Sequence, residues 1–259
     1  MITPAGLLVD IDGVLVVAWQ ALPGIPEAFT ELRSHRIPMR LATNTTAYSR
    51  AEIAGLLGNE GIEVDRSHIL TAPSATAAYL RREHPGARCL LLNEGDPSDD
   101  MEGVDLTDDG SADVVLIGGA GPVFSYDALN RAFDRLSGGA ALVVMHRNLA
   151  WRTADGMQLD SGGYVTALEA ATGVRATVAG KPAPVFFASG LQALGLPGNR
   201  VAMVGDDLVN DVLAAQDCGI TGVLVRTGKF TAQSLREAKR QPDAVVDSFA
   251  EIPRWLELR

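Results

Sequence analysis

Apolar residues in this chain fall in short runs separated by longer amphipathic stretches. Leu7, Leu8 and Val9 form the first run. Others lie at Pro38–Ala42, Arg88–Leu92, Val114–Ile117, Ala141–Met145, Ala176–Ala179, Val201–Val204, Gly222–Val225 and Ala244–Val246. Short apolar runs bounded by turn residues are predicted to be buried strands. Between them, helical spacing predicts a helix over Pro26–Arg36 with Ala28, Phe29 and Leu32 on one face. The same spacing predicts helices over Ser49–Gly58, Ser74–Glu83, Tyr126–Leu136, Tyr164–Thr172, Val185–Leu194, Leu208–Cys218 and Thr231–Lys239. Alternation of strands and helices predicts an α/β fold with a doubly wound parallel sheet.

Polar residues punctuate the ends of the predicted strands, where open parallel sheets bind ligands. The first strand runs into Asp10-Ile11-Asp12-Gly13. Strand alternation would point both carboxylates to one side, and like charges held together call for a cation or a shared proton. A carboxylate can attack a phosphoryl group, and a second acid can protonate the leaving oxygen. A loop acid pair would read the same way. Thr43-Asn44 closes a second strand and suits phosphate oxygens, or ordinary turn chemistry. Gly180-Lys181-Pro182 offers a point positive charge before a helix, or a surface lysine. Gly205-Asp206-Asp207, with Asp211 four residues beyond Asp207, offers oxygen ligands for a hard cation. One of these acids is also accounted for by the dipole of the following helix. The stretch from about 84 to 178 carries its own strands and helices but none of these groups. It is predicted to be a second domain (84–178) inserted into a discontinuous core (1–83 and 179–259).

Composition narrows the classes. Hydrophobic residues make up 47% and charged residues 21%, as in ordinary globular chains. A net charge of −10 argues against nucleic acid or an anionic membrane as the main partner. It leaves room for a small anionic substrate where a cation reverses the local potential. Two cysteines, Cys89 and Cys218, cannot build a disulfide framework or a cysteine-rich zinc site. No apolar run has the length of a membrane span, and no secretory leader pattern precedes the first strand, so a cytoplasmic location is expected. The acidic segment from Asn93 to Ser111, including Asp96, Asp99, Asp100, Asp105, Asp108 and Asp109, lacks the ligand order of a calcium loop and is predicted to be a solvated loop.

Together and in this order, the four motifs resemble those of the haloacid dehalogenase superfamily: an Asp-x-Asp nucleophile loop, a strand-end Ser or Thr, a Lys, and a paired-acid loop. The insertion between the Thr and Lys motifs resembles the type-two α/β cap of class IIA, the NagD-like branch. The stretches Gly24–Arg33, Thr43–Thr46, Gly173–Pro182 and Met203–Asp211 look closest to its phospholysine phosphohistidine inorganic pyrophosphate phosphatase branch. The resemblance implies a magnesium-dependent phosphatase acting on a small phosphorylated metabolite through an aspartyl-phosphate, with pyrophosphatase or phosphoamidase activity within its range. It implies Asp10 as nucleophile, Asp12 as acid/base, and Thr43, Asn44 and Lys181 as phosphate ligands. Asp10, Asp206 and the backbone carbonyl of Asp12 would hold Mg2+. Gly13, Asp207 and Asp211 would support the site, Asp211 by orienting Lys181. His146, Arg147, Asn148, Trp151, Arg152 and Gly162-Gly163 are candidates for substrate contact in the cap, and caps of this class suggest a homodimer. Two other readings share the same groups: a phosphotransferase, and a non-catalytic, receiver-like module binding phosphate and magnesium.

Overall fold

A computed structural model describes residues 4–108, 110–153 and 156–258; for 151–153 it describes the backbone alone. The chain divides into two compact units. The first comprises Met1–Thr43, Arg50–Leu70 and Lys181–Arg259; the second comprises Asn44–Ser49 and Thr71–Gly180. The sequence reading begins the inserted domain at residue 84, whereas the second unit takes in Asn44–Ser49 and then runs continuously from Thr71. Helix Ala72–Glu83 accounts for the difference: its Ala72, Ala77 and Leu80 pack with Cys89, Val114, Leu116 and Val143 of the second unit.

The first unit is built on a six-stranded sheet. Its strands lie in the order Ala244–Val246, Thr221–Val225, Val201–Gly205, Gly6–Asp10, Met39–Thr43, Ile69–Thr71. Gly6–Asp10 pairs in parallel with Val201–Gly205 on one side and Met39–Thr43 on the other. The strand order therefore reverses at Gly6–Asp10, so its carboxyl end opens at the topological switch point where α/β sheets bind ligands. Leu7, Leu8 and Val9 are fully buried, as expected of a parallel strand covered on both faces. Helix Ile25–Ser34 buries Ile25, Ala28, Phe29 and Leu32, the predicted face extended by one residue.

Three local features depart from the sequence reading. Strand Ile69–Thr71 is only three residues long, too short for periodicity to reveal. The hairpin pairing Val16–Val17 with Gln20–Ala21 turns through Ala18 and Trp19, both at positive φ, where glycine or asparagine would have signalled it. The helix predicted over Leu208–Cys218 opens as a π-helical segment, Leu208–Leu213, before continuing as Ala214–Asp217.

The second unit has a five-stranded parallel sheet. Its order is Thr177–Val178, Ala141–Val144, Val114–Ile117, Arg88–Leu92, Asp105–Leu106. Its apolar core includes Leu90, Val115, Ile117 and Val144, with Ala128, Ala132 and Leu136 of helix Tyr126–Ser137 and Val165 of helix Ser161–Thr172. The acidic segment is more ordered than a solvated loop. It contributes strand Asp105–Leu106, and Asp100 is buried, accepting a 2.7 Å hydrogen bond from the Thr71 hydroxyl. Asp109 lies outside the described residues, as do the side chains of Trp151 and Arg152. Among the described residues, no helix is long and apolar enough to cross a membrane.

Candidate active site

The strand bearing Asp10 stops at that residue, and the chain turns immediately, with the Gly13 amide donating to the Val16 carbonyl at 2.8 Å. Because the strand ends there, its alternation does not carry on to Asp12. Asp10 is buried and Asp12 is exposed. The two carboxylates thus occupy different environments rather than forming one buried pair. Gly13 sits at φ +83°, and a Cβ on it would stand 2.1 Å from Asp206 Oδ2. Only glycine lets the turn pass so close to that carboxylate.

Lys181 joins three chain segments. Its ammonium lies 2.7 Å from Asp10 Oδ1, 2.7 Å from Asp211 Oδ1 and 3.1 Å from the carbonyl oxygen of Ala42. Ala42 is the register partner of Asp10 on the neighbouring strand. Three acceptors therefore match the three donors of an ammonium. Asp211 returns to the strand end because the helix opens with a π turn: the amides of both Asp211 and Val212 donate to the Asp207 carbonyl. Glycine at 205 leaves the room it needs, since a Cβ there would stand 2.3 Å from Asp211 Cβ.

Asp10, Asp206 and Asp211 each bring one carboxylate oxygen within 4.8 Å of the others. Burial pushes Asp10 up to about 6 against the pull of the Lys181 ammonium, with Asp206 adding to the rise. Burial also lifts Asp206 to about 6, opposed by the hydrogen bond from the Lys229 amide, and Asp211 to about 7, opposed by Lys181. Lys181 is held above its usual value: burial would lower it, but Asp10 and Asp211 outweigh that. Asp12 reaches the surface, yet the protein packed around it displaces enough water to lift its carboxyl above the usual value, with Lys181 and Lys229 pulling the other way.

The chemistry of this donor set fits a hard divalent cation. Three carboxylates against one buried ammonium leave two negative charges when all are ionised. Asp206 supplies a second indication. Its Oδ2 accepts a 2.7 Å hydrogen bond from the Lys229 amide, whereas its Oδ1 is buried with no hydrogen-bond partner among the described residues. An orphaned buried carboxylate oxygen is costly unless something positive faces it. Asp207 plays a different part. Its Oδ1 accepts from the amides of Val209 and Asn210, capping the π turn, and Oδ2 accepts from the Asn210 side chain. Burial would raise its carboxyl, but these hydrogen bonds prevail and hold it below its usual value.

Thr43 is buried at the end of its strand, one residue beyond the partner of Asp10. Asn44, His146 and Arg147 belong to the second unit. There, Asn44 Oδ1 lies 2.7 Å from where a Cβ on Gly180 would stand. His146 is buried; its Nδ1 lies 3.4 Å from the Asn148 amide and 3.9 Å from Asp160 Oδ2. Arg147 forms a bidentate pair with the buried carboxylate of Glu169, at 3.0 and 2.8 Å. That fork is engaged with Glu169 inside the unit, where it braces the segment that follows His146. The turn Thr227-Gly228-Lys229 was not anticipated. It follows the strand next to the one bearing Asp206, so the strand-end rule could have found it.

A family model described as haloacid dehalogenase-like hydrolase matches residues 7–107, and a HAD-hydrolase-like model matches residues 178–252. Phospholysine phosphohistidine inorganic pyrophosphate phosphatase of Homo sapiens is 36% identical over 252 residues, covering 95% of this chain and 92% of the relative. Haloacid dehalogenase-like hydrolase domain-containing protein 2 of Homo sapiens is 35% identical over 243 residues, covering 94% and 92%. Among solved structures, 4-nitrophenylphosphatase from Thermotoga maritima superimposes with a TM-score of 0.90 at 27% identity, covering 97% of each chain. NagD from E. coli K-12 superimposes with a TM-score of 0.88 at 25% identity, covering 96% of this chain and 98% of that one.

Proposed function

The chain belongs to the haloacid dehalogenase-like hydrolases, and on that premise we propose that it is a magnesium-dependent phosphatase that passes the phosphoryl group of a small phosphorylated metabolite through Asp10. The observation that carries this reading is the buried Asp10 carboxylate, held 2.7 Å from the Lys181 ammonium at the switch point and clustered with the carboxylates of Asp206 and Asp211. Asp10 attacks phosphorus and the bond to the leaving oxygen breaks. Asp12, exposed and raised above its usual value, donates the proton that this oxygen needs. Asp12 then takes a proton from water, whose oxygen attacks the aspartyl-phosphate and releases inorganic phosphate and Asp10. Asp10, Asp206 and the Asp12 carbonyl are the proposed holders of Mg2+, which supplies positive charge to the phosphoryl oxygens.

Lys181 acts in this scheme mainly by charge. Its donors are matched by Asp10, Asp211 and Ala42, so direct contact with phosphate exchanges one of these bonds. Asp211 fixes Lys181, and Asp207 fixes the turn that delivers Asp206 and Asp211. Thr43, with Asn44 following it, is the proposed phosphate ligand on the adjacent strand end. The likeness to a phosphatase named for phospholysine, phosphohistidine and inorganic pyrophosphate supports including P–N and P–O–P compounds among the candidate substrates.

The test is phosphate release from a panel of phosphate monoesters, phosphoramidates and pyrophosphate, with Mg2+ or with chelator and no added acceptor alcohol. Magnesium-dependent release on at least one class supports the reading. Formation of the phosphate ester of an added alcohol, with no inorganic phosphate released in its absence, would make the protein a phosphotransferase. Stable binding of phosphate and magnesium without release would make it a receiver-like module.

A further inference from the structure

The turn Thr227-Gly228-Lys229 touches the candidate centre through one hydroxyl and its backbone. The Thr227 hydroxyl donates to the carbonyl of Gly13, in the loop that follows Asp10. The Lys229 amide donates to Asp206 Oδ2 at 2.7 Å. Between them, Gly228 sits at φ +57°, and a Cβ on it would stand 1.9 Å from Asp206 Oδ2 and 2.6 Å from Gly13 Cα. Gly13 and Gly228 thus close on one carboxylate oxygen, and neither tolerates a side chain. The other oxygen, Oδ1, is buried and has no partner among the described residues.

A carboxylate's oxygens exchange by rotation about its last side-chain bond. The amide donor and the two glycine walls select one orientation, with Oδ2 tied down and Oδ1 presented. We propose that the Thr227–Lys229 turn is a positioning device: it clasps the nucleophile loop to Asp206 and presents Asp206 Oδ1 to a divalent cation. The inference rests on the magnesium reading above. It assigns the positioning to the backbone amide of residue 229, not to its side chain, which is exposed and reaches Asp207 Oδ2 only at 3.5 Å. Preorganisation of this kind lowers the cost of arranging a ligand at the moment of binding.

The test is calorimetric titration of the full chain with magnesium chloride, without substrate. Thr227→Val keeps the side-chain shape and removes the donor, whereas Thr227→Ser keeps the donor. Gly228→Ala intrudes on Oδ2, and Lys229→Arg keeps both the amide and the positive charge. Thr227→Val and Gly228→Ala are expected to weaken Mg2+ binding at least about tenfold, with Thr227→Ser and Lys229→Arg within about threefold of wild type. The magnesium concentration giving half-maximal phosphate release should rise in parallel, with kcat recovering at saturating Mg2+, which general loss of packing would not produce. Wild-type Mg2+ affinity in both Thr227→Val and Gly228→Ala overturns the inference. If Gly228→Ala does not fold, the Val and Ser variants at position 227 decide the matter alone. A wild-type chain that binds no Mg2+ overturns the magnesium reading, and the inference with it.

Discussion

Asp206 lends itself to a quantitative test because one substitution separates its charge from its shape. In the metal-free protein, burial raises its carboxyl from 3.8 to about 6. The folded state therefore keeps a proton that the unfolded chain releases near pH 4. Between those values the folded state binds more protons, so stability falls as pH rises from about 4 to about 6 and then levels. A rise of that size is worth on the order of 3 kcal/mol. Asp206→Asn removes the titration and keeps the side chain's outline. By urea unfolding in chelator, the variant should be more stable than wild type at pH 8 by up to about 3 kcal/mol, and the gap should close near pH 4. Magnesium should reverse the order at pH 8, because only the carboxylate binds it. A ligand at a thousand times its Kd stabilises by about 4 kcal/mol, which exceeds that gap. The reasoning is refuted if the variant is no more stable than wild type at pH 8 without metal, or if the gap between them does not change with pH.

Other expected outcomes follow from individual contacts. Asp10→Asn should lower kcat for a phosphate ester at least about a thousandfold, roughly 4 kcal/mol of transition-state stabilisation, with an unchanged circular dichroism spectrum; near wild-type turnover would remove Asp10 as nucleophile. Gly13→Ala should cost at least about 1 kcal/mol from its positive φ alone and should raise the magnesium concentration needed for half-maximal turnover at least about tenfold, because its Cβ would meet Asp206 Oδ2 at 2.1 Å. Arg147→Ala should destabilise the protein by about 1 kcal/mol at pH 7 in urea unfolding, since it leaves the buried Glu169 without its bidentate partner. Hydrogen bonds from Arg147 hold the Glu169 carboxyl below 4.5 despite burial, so this difference should shrink as pH falls below about 4.5. Burial, with Asp105 and Asp113, pushes the Cys89 thiol up to about 11, so a thiol reagent at pH 8 should leave it unmodified until the protein is unfolded.

Much of the architecture could be read from local pattern. Apolar runs such as Leu7–Val9 and Val114–Ile117 mark buried parallel strands because both faces of such strands are covered, and acids or a threonine at their ends stand out against that background. Elements whose stability comes from their surroundings left no such trace. Strand Ile69–Thr71 is too short to show a period, and the Ala18-Trp19 turn lacks the residues that usually mark its backbone.

The sequence by itself determined which chemical groups are available: Asp10, Asp12, Thr43, Lys181, Asp206 and Asp211 stand at strand ends or helix starts, where neighbouring residues along the chain suffice to place them. Only the tertiary structure decided how they divide the work. It separated buried Asp10 from exposed Asp12 and put Asp10 with Asp206 and Asp211. It surrounded Lys181 with acceptors from three segments and left one oxygen of Asp206 without a hydrogen-bond partner among the described residues. It also tied Arg147 to Glu169 and brought the 227–229 turn against Gly13. The physical reason is that burial, charge pairing and close approach depend on distances in space. Residues 10, 181 and 211 are far apart along the chain, and only the folded sheet with the turns at its strand ends brings them together.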